Sequence, residues 1–179
     1  MGARRYHRHY SDLMIQLPLE KINSKAPYQV TTSAYGDFRF LTSLGINYVI
    51  SFEEDHPFGG CDTYQFVIQK IEQQKSPHDP LVEQTILAII DVFFSSYLNV
   101  LLYICDDSDG REEKRNRLFL TWFEKHADPG RFTICTAHAK VEEKGFYAAI
   151  IVENRNPKLH AITDDFQTTA KALTAGKPE

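Results

Sequence analysis

The chain lacks most of the signals that mark a known chemistry. Its three cysteines, Cys61, Cys105 and Cys135, are odd in number and far apart, which excludes a disulfide framework and a CxxC metal pair. Cys105 and Cys135 lie in apolar, strand-like runs and read as buried free thiols, which fits a cytoplasmic protein. There is no dinucleotide-binding glycine fingerprint, no phosphate-binding P-loop and no nucleophile-elbow serine. Excess positive charge is missing too. A net charge of −4 and a pI near 6.0 argue against a general nucleic-acid binder. No apolar run reaches the roughly 20 residues of a membrane-spanning helix. The longest apolar region, Thr85 to Cys105, is interrupted by Asp91, Ser95, Ser96 and Asn99, and reads as a buried helix followed by a buried strand. No apolar segment follows the N-terminal MGARRYHRHYSDL, so no secretion signal is expected, and Tyr6 stands where a myristoylation motif has Ser or Thr. Repeats and low-complexity segments are also lacking.

What is present suits one domain. The 179 residues are 42% hydrophobic and 12% aromatic, enough to fill a core. Residues 1–26 show no clear period and carry a basic cluster, Arg4, Arg5, His7, Arg8 and His9. With no aromatic platform attached, they read as a flexible extension rather than a phosphate-binding arm, and the domain is placed at 27–174. From Pro27 the pattern alternates. Phe38 and Phe40, a turn at Ser43-Leu44-Gly45, then Ile46, Tyr48, Ile50 and Phe52 predict a hairpin. Glu53 to Gly60 reads as a loop because Pro57 and Gly59-Gly60 break regular structure. Tyr64, Phe66 and Ile68 alternate in a third strand, whose other face is expected to be polar. These aromatics, with Tyr48, read as core rather than a base-stacking platform.

A first long helix is predicted from Asp79-Pro80, with Asp79 as cap and Pro80 in the first turn. Its wide apolar face, Val82 to Tyr97, suits packing on a sheet. Val100 to Cys105 is apolar on both faces and reads as an inner strand. A second helix spans about Asp109 to His126, then come strands Phe132 to Val141 and Phe146 to Val152, joined at Lys144-Gly145. Asn156-Pro157 opens a last helix with Ile162, Phe166, Thr169 and Leu173 on one stripe. The order βββ-α-β-α-ββ-α predicts an α+β fold. It has a mostly antiparallel sheet of about six strands and helices largely on one face.

The candidate site is the turn between the inner strand and the second helix, where Asp106, Asp107 and Asp109 meet Arg111 and Arg115. At 100° per residue, Arg111 and Arg115 share a stripe with Leu118 and Trp122. If that stripe is buried, the arginines need partners, and Asp106 and Asp107 are the nearest. Three readings follow: an internal ion-pair turn, favoured because such networks mimic functional sites; an anion site aided by the helix N-terminus; or an oxygen-ligand metal site. DDSDG lacks the spacing and last ligand of an EF-hand, so no metal is expected, and no cofactor. The seven histidines have no metal-ligand spacing. Cys135 and His138 face opposite sides of a strand, which disfavours a catalytic dyad.

Three segments carry a resemblance: Pro27 to Phe52, Tyr103 to Phe123 (YICDDSDGREEKRNRLFLTWF), and Phe146 to Pro157 (FYAAIIVENRNP). Together the chain resembles an uncharacterised family of small bacterial proteins, a domain of unknown function, over about 27–170. The resemblance implies a bacterial, cytoplasmic protein and transfers no catalytic residue. The resulting expectation is a non-enzymatic binding or regulatory domain for a protein partner or small anionic ligand near Arg111 and Arg115. The alternatives are an enzyme for a phosphate-containing substrate using Asp106, Asp107 and Arg111, and a domain that self-associates, as a homodimer, through a sheet edge.

Overall fold

The computed structural model describes residues 14–72, 75–106, 111–142 and 144–175, with backbone alone for 105–106, 111–118, 139–141, 144 and 175. Within these, the order is α1 (Leu19–Lys25), β1 (Thr31–Thr32), β2 (Phe38–Leu41), β3 (Asn47–Phe58), β4 (Cys61–Lys70), α2 (Pro80–Ser96), β5 (Val100–Asp106), α3 (Arg111–His126), β6 (Phe132–Val141), β7 (Lys144–Glu153) and α4 (Leu159–Ala175). The strands form one sheet in the order β1-β2-β3-β4-β5-β7-β6. Every pairing is antiparallel except β4 with β5, which α2 joins as a crossover. The α+β expectation holds, with seven strands where about six were read.

The β2–β3 hairpin forms where alternation predicts it. Gly45 takes φ +77° in the turn, and Thr42 closes it, its amide donating to the Ile46 carbonyl (2.9 Å) and its hydroxyl accepting from the Ile46 amide (3.1 Å). The stretch Glu53 to Gly60 is not a loop. β3 runs on to Phe58 because its pairing continues through Glu53↔Gln65, Glu54↔Tyr64 and Asp55↔Thr63. The register shifts between Asp55 and Phe58, and Pro57, which has no amide hydrogen to give, sits in that irregularity. The turn shrinks to Gly59 and Gly60, at φ +58° and +71°.

α2 begins as its sequence demands. The Asp79 carboxylate accepts from the Leu81 amide at 3.0 Å, and Pro80 occupies the first turn. Its buried residues, among them Ile86, Ile89, Ile90 and Phe93, lie on one face of the sheet with Phe38, Phe40, Ile50, Phe66, Leu101, Tyr103, Ala149 and Ile151. α1 adds Ile22 to this core, and α3 adds Phe119, Leu120 and Phe123. β5 is the inner strand expected, and its alternate residues Val100 and Leu102 face the other side. There α4 covers them with Ile162 and Phe166, together with Phe58, Cys61, Ile150 and Val152. So α4 is the helix that leaves the common face. Thr63, on the face read as polar, is fully buried for the same reason.

Three further boundaries differ from the sequence reading. Ile15, Leu17 and Ile22 are buried in the main core with Leu19 and Ala26 packed against it, so the packed chain extends ahead of residue 27; the spacings of two and five between the buried positions fit neither one strand nor one helix. Lys144 and Gly145 are strand residues, paired with Val141 and Lys140, and Glu142 takes the positive φ of 51° in the turn instead. Leu173 continues the stripe of Ile162 and Phe166 yet is 53% exposed, because the core beneath α4 ends before it.

Candidate functional site

The segment between the end of β5 and the start of α3 holds the residues the sequence singled out. Asp106 is the last residue of β5, its backbone paired with Phe146, and Arg111 is the first residue of α3 with Arg115 one turn on. Asp107 and Asp109 lie outside the described residues, as do the side chains of Asp106, Arg111 and Arg115. α3 itself corrects one expectation. Among its described side chains Phe119, Leu120 and Phe123 are buried, while Trp122 is half-buried with its ring tilted against His126 at 4.7 Å between ring centres. With Arg111 at zero, Phe119, Phe123 and Leu120 fall at about 80°, 120° and 180°, and Trp122 at about 20°. Among the side chains described in α3, from Phe119 on, the buried arc is centred away from Trp122.

A charged cluster that the sequence reading passed over lies at the other end of the main core. Asp91 of α2 accepts from Lys25 of α1 and from Arg131, which immediately precedes β6. Glu153, 3% exposed at the end of β7, accepts from Arg155 and has Arg131 at 3.8 Å. The Arg131 guanidinium also lies 4.9 Å from the Phe132 ring centre. Signs alternate from Lys25 through Asp91, Arg131 and Glu153 to Arg155, so each carboxylate is matched. The sequence held a faint sign of it in a single carboxylate, Asp91, within the apolar stretch from Leu87 to Phe94. Burial alone pushes the Asp91 carboxyl up, but hydrogen bonds and charge from Lys25 and Arg131 outweigh it and hold the pKa below the ordinary aspartate value. A depressed pKa gives stability that is present above the unfolded value, near ~3.9, and is lost as pH falls through the lower folded value. Asp91→Asn is therefore expected to lower stability by about 1–2 kcal/mol at neutral pH. Thermal melts should show the gap to the unsubstituted protein closing below about pH 4. A gap that stays constant down to the acid limb would assign the loss to packing instead.

The third feature is the sheet's border. β1, at one edge, is two residues long, whereas β6, at the other, has ten residues from Phe132 to Val141 and pairs only with β7 among the described strands. Thr136 and His138 are exposed along it. Cys135 and His138 point to opposite faces: Cys135, opposite Ile150, borders the core under α4, and the His138 ring lies tilted against Tyr147 at 4.7 Å between ring centres. Burial also pushes the Cys135 thiol up, away from thiolate character, so the pair is no dyad.

A cavity of about 330 Å³ lies between the N-terminal segment and β3, lined by Met14, Ile15, Tyr35, Asp37, Glu53 and Gln69 among others. The Asp37 carboxylate is held by both guanidinium nitrogens of Arg39, at 2.9 and 3.1 Å. No three His, Cys, Asp or Glu side chains gather as a metal site among the described residues. No described helix is long and apolar enough to cross a membrane.

The fold is that of an α+β protein whose sheet begins with the two-residue β1 and ends with the ten-residue β6. The chain belongs to a family of unknown function, DUF6169, which matches residues 78–168. That match spans α2 through most of α4 and contains both the β5–α3 turn and β6; the β1–β4 half lies outside it. No curated protein and no solved structure matches the chain.

Proposed function

We propose that the protein is a binding domain that takes a polypeptide partner along the outer edge of β6. One observation carries this reading: β6 runs for ten residues with no strand paired on its outer side among the described residues. An edge strand presents a row of backbone donors and acceptors, which a partner strand satisfies while pockets on alternate positions supply selectivity. Natural edges avoid this with prolines, several charges or bulges, and the sequence FTICTAHAKV has no proline and a single lysine. Of the two partner classes expected from the sequence, the polypeptide is the one with a described surface to receive it. The free thiols of Cys61 and Cys135 support a reducing, cytoplasmic setting, and the family resemblance supports a bacterial one.

The test places a photo-crosslinking residue at the exposed Thr136 and, as control, at the exposed Ser96 at the end of α2. Irradiation in cells followed by peptide mapping should give an adduct from position 136, to an extended segment, that position 96 does not give. Equal adducts at both positions, or none at 136, would overturn the reading.

A further inference from the structure

We infer that this chain's own N-terminal segment, residues 1–13, docks on the second face of the sheet where it spans β2 to β4. The inference is independent of the β6 edge, which lies at the far end of the sheet. Alternation sends Tyr48, Ile50 and Phe52 of β3 to the main core. It turns Val49, Ser51 and Glu53 to the other face, beside Gln69, Val67 and Gln65 of β4. Arg39 and Leu41 of β2 stand on that face as well. The core beneath α4 takes no residue from β2 and none from β3 before Phe58. Val49 is nonetheless buried, and it belongs to neither core.

The position of Met14 names the occupant. Met14 is the first described residue; it packs on Gly36 and lines the cavity of about 330 Å³ together with Val49, Ser51, Glu53 and Gln69. The chain therefore reaches this face at Met14, with thirteen residues ahead of it. Extended, those residues span about 43 Å, against about 33 Å for the length of β4 and about 10 Å from β2 to β4. Charge selects the same segment. Glu53 is exposed, and its carboxylate has no cation or hydrogen-bond donor among the described residues. Arg39, the cation of β2 on this face, is already held by Asp37. Residues 1–13 bring Arg4, Arg5 and Arg8 against a single carboxylate, Asp12, while Tyr6, Tyr10 and Leu13 supply apolar surface for Val67 and the exposed Leu41. Tethering decides between this segment and any other basic peptide, because a short covalent link holds it at an effective concentration on the order of millimolar.

A photo-crosslinking residue at Gln69, which is exposed and lines the cavity, tests this in the full chain. Ser96, at the end of α2 on the other side of the sheet, is the control. Purified protein should give an adduct from position 69 to residues 4–10 and none from position 96. Isotopically labelled and unlabelled copies are then mixed. Adducts within one copy support the inference, whereas adducts joining unlike copies make a second chain the occupant and overturn it. In cells, an adduct from position 69 to another protein in place of residues 4–10 overturns it equally. Glu53→Lys should lower the yield at least about threefold, with unchanged circular dichroism because the position is exposed. Adding Arg4→Glu, Arg5→Glu and Arg8→Glu to it should restore the yield. Should Glu53→Lys fail to fold, Glu53→Gln removes the charge at nearly the same shape and gives the answer. No adduct to residues 4–10, or a yield indifferent to the charge at position 53, sinks the inference and leaves the β6 reading to its own test.

Discussion

Replacing Phe93 with alanine is expected to cost about 3–5 kcal/mol of stability, close to the limit for one core side chain. Phe93 is fully buried in α2. Its ring stacks on Phe52 of β3 at 5.0 Å, meets Phe94 edge-on at 5.1 Å, lies against Tyr97 at 5.5 Å and reaches Tyr64 of β4 at 6.3 Å. Truncation removes the transfer free energy of a large ring and leaves a space that flat aromatic neighbours fill poorly. Chemical denaturation measures it, with Leu44→Ala as reference. Leu44 is 58% exposed in the β2–β3 turn, and its loss should stay within about 0.5 kcal/mol. Similar losses at both positions would mean that Phe93 is not a centre of the core.

The second large effect is expected at Gly59. Its φ of +58° strains any L side chain, and a Cβ there would stand 2.5 Å from the Ile162 amide nitrogen and 2.6 Å from the Ala161 carbonyl carbon. Both are helix backbone, which cannot move aside as a flexible side chain does. The Gly59 amide also donates to the Asp165 carboxylate at 2.8 Å, so the turn is tied to the helix that would have to retreat. Gly59→Ala should therefore cost about 2–5 kcal/mol, combining backbone strain with overpacking. Gly45→Ala separates the two causes. Gly45 has a similar φ of +77° with nothing within 4 Å of the added atom, so it should lose only about 1 kcal/mol. Equal losses at the two glycines would remove the close approach of α4 from the account. Unfolding curves of both variants decide it, and a shift in the near-ultraviolet signal of Gly59→Ala would report displacement of α4.

The candidate site was legible to a different degree in each part. The turn after β5 was visible because an apolar run ends in carboxylates and a capped, arginine-bearing helix follows. The orientation of α3 was not, since Phe119, Leu120, Trp122 and Phe123 leave several arcs apolar enough to bury. Packing against Phe66 and Tyr103 selects Phe119, with ring centres at 6.2 Å from Phe66 and 6.0 Å from Tyr103, and Phe132 of β6 takes Phe123 at 5.5 Å. The Asp91 cluster was hidden for another reason. Lys25 and Arg131 are 66 and 40 residues from Asp91 along the chain, and no local pattern encodes such pairs. Which strand stands at the edge was equally out of reach, because β6 and β7 have the same length and only the order of the sheet puts β7 inside.

Local physical chemistry settles much by itself. Alternation makes β2 and β3, Gly45 turns them, Asp79 and Pro80 start α2, and the doubly apolar run from Val100 makes β5 an inner strand. Those features depend on neighbours a few residues away, where backbone sterics and side-chain period act directly. Tertiary structure decided what depends on distant neighbours. It drew Ile15, Leu17 and Ile22 into the core and let β3 continue through Pro57 because β4 was there to pair with it. It also sent α4 to the second face over Thr63 and put β6 at the border of the sheet.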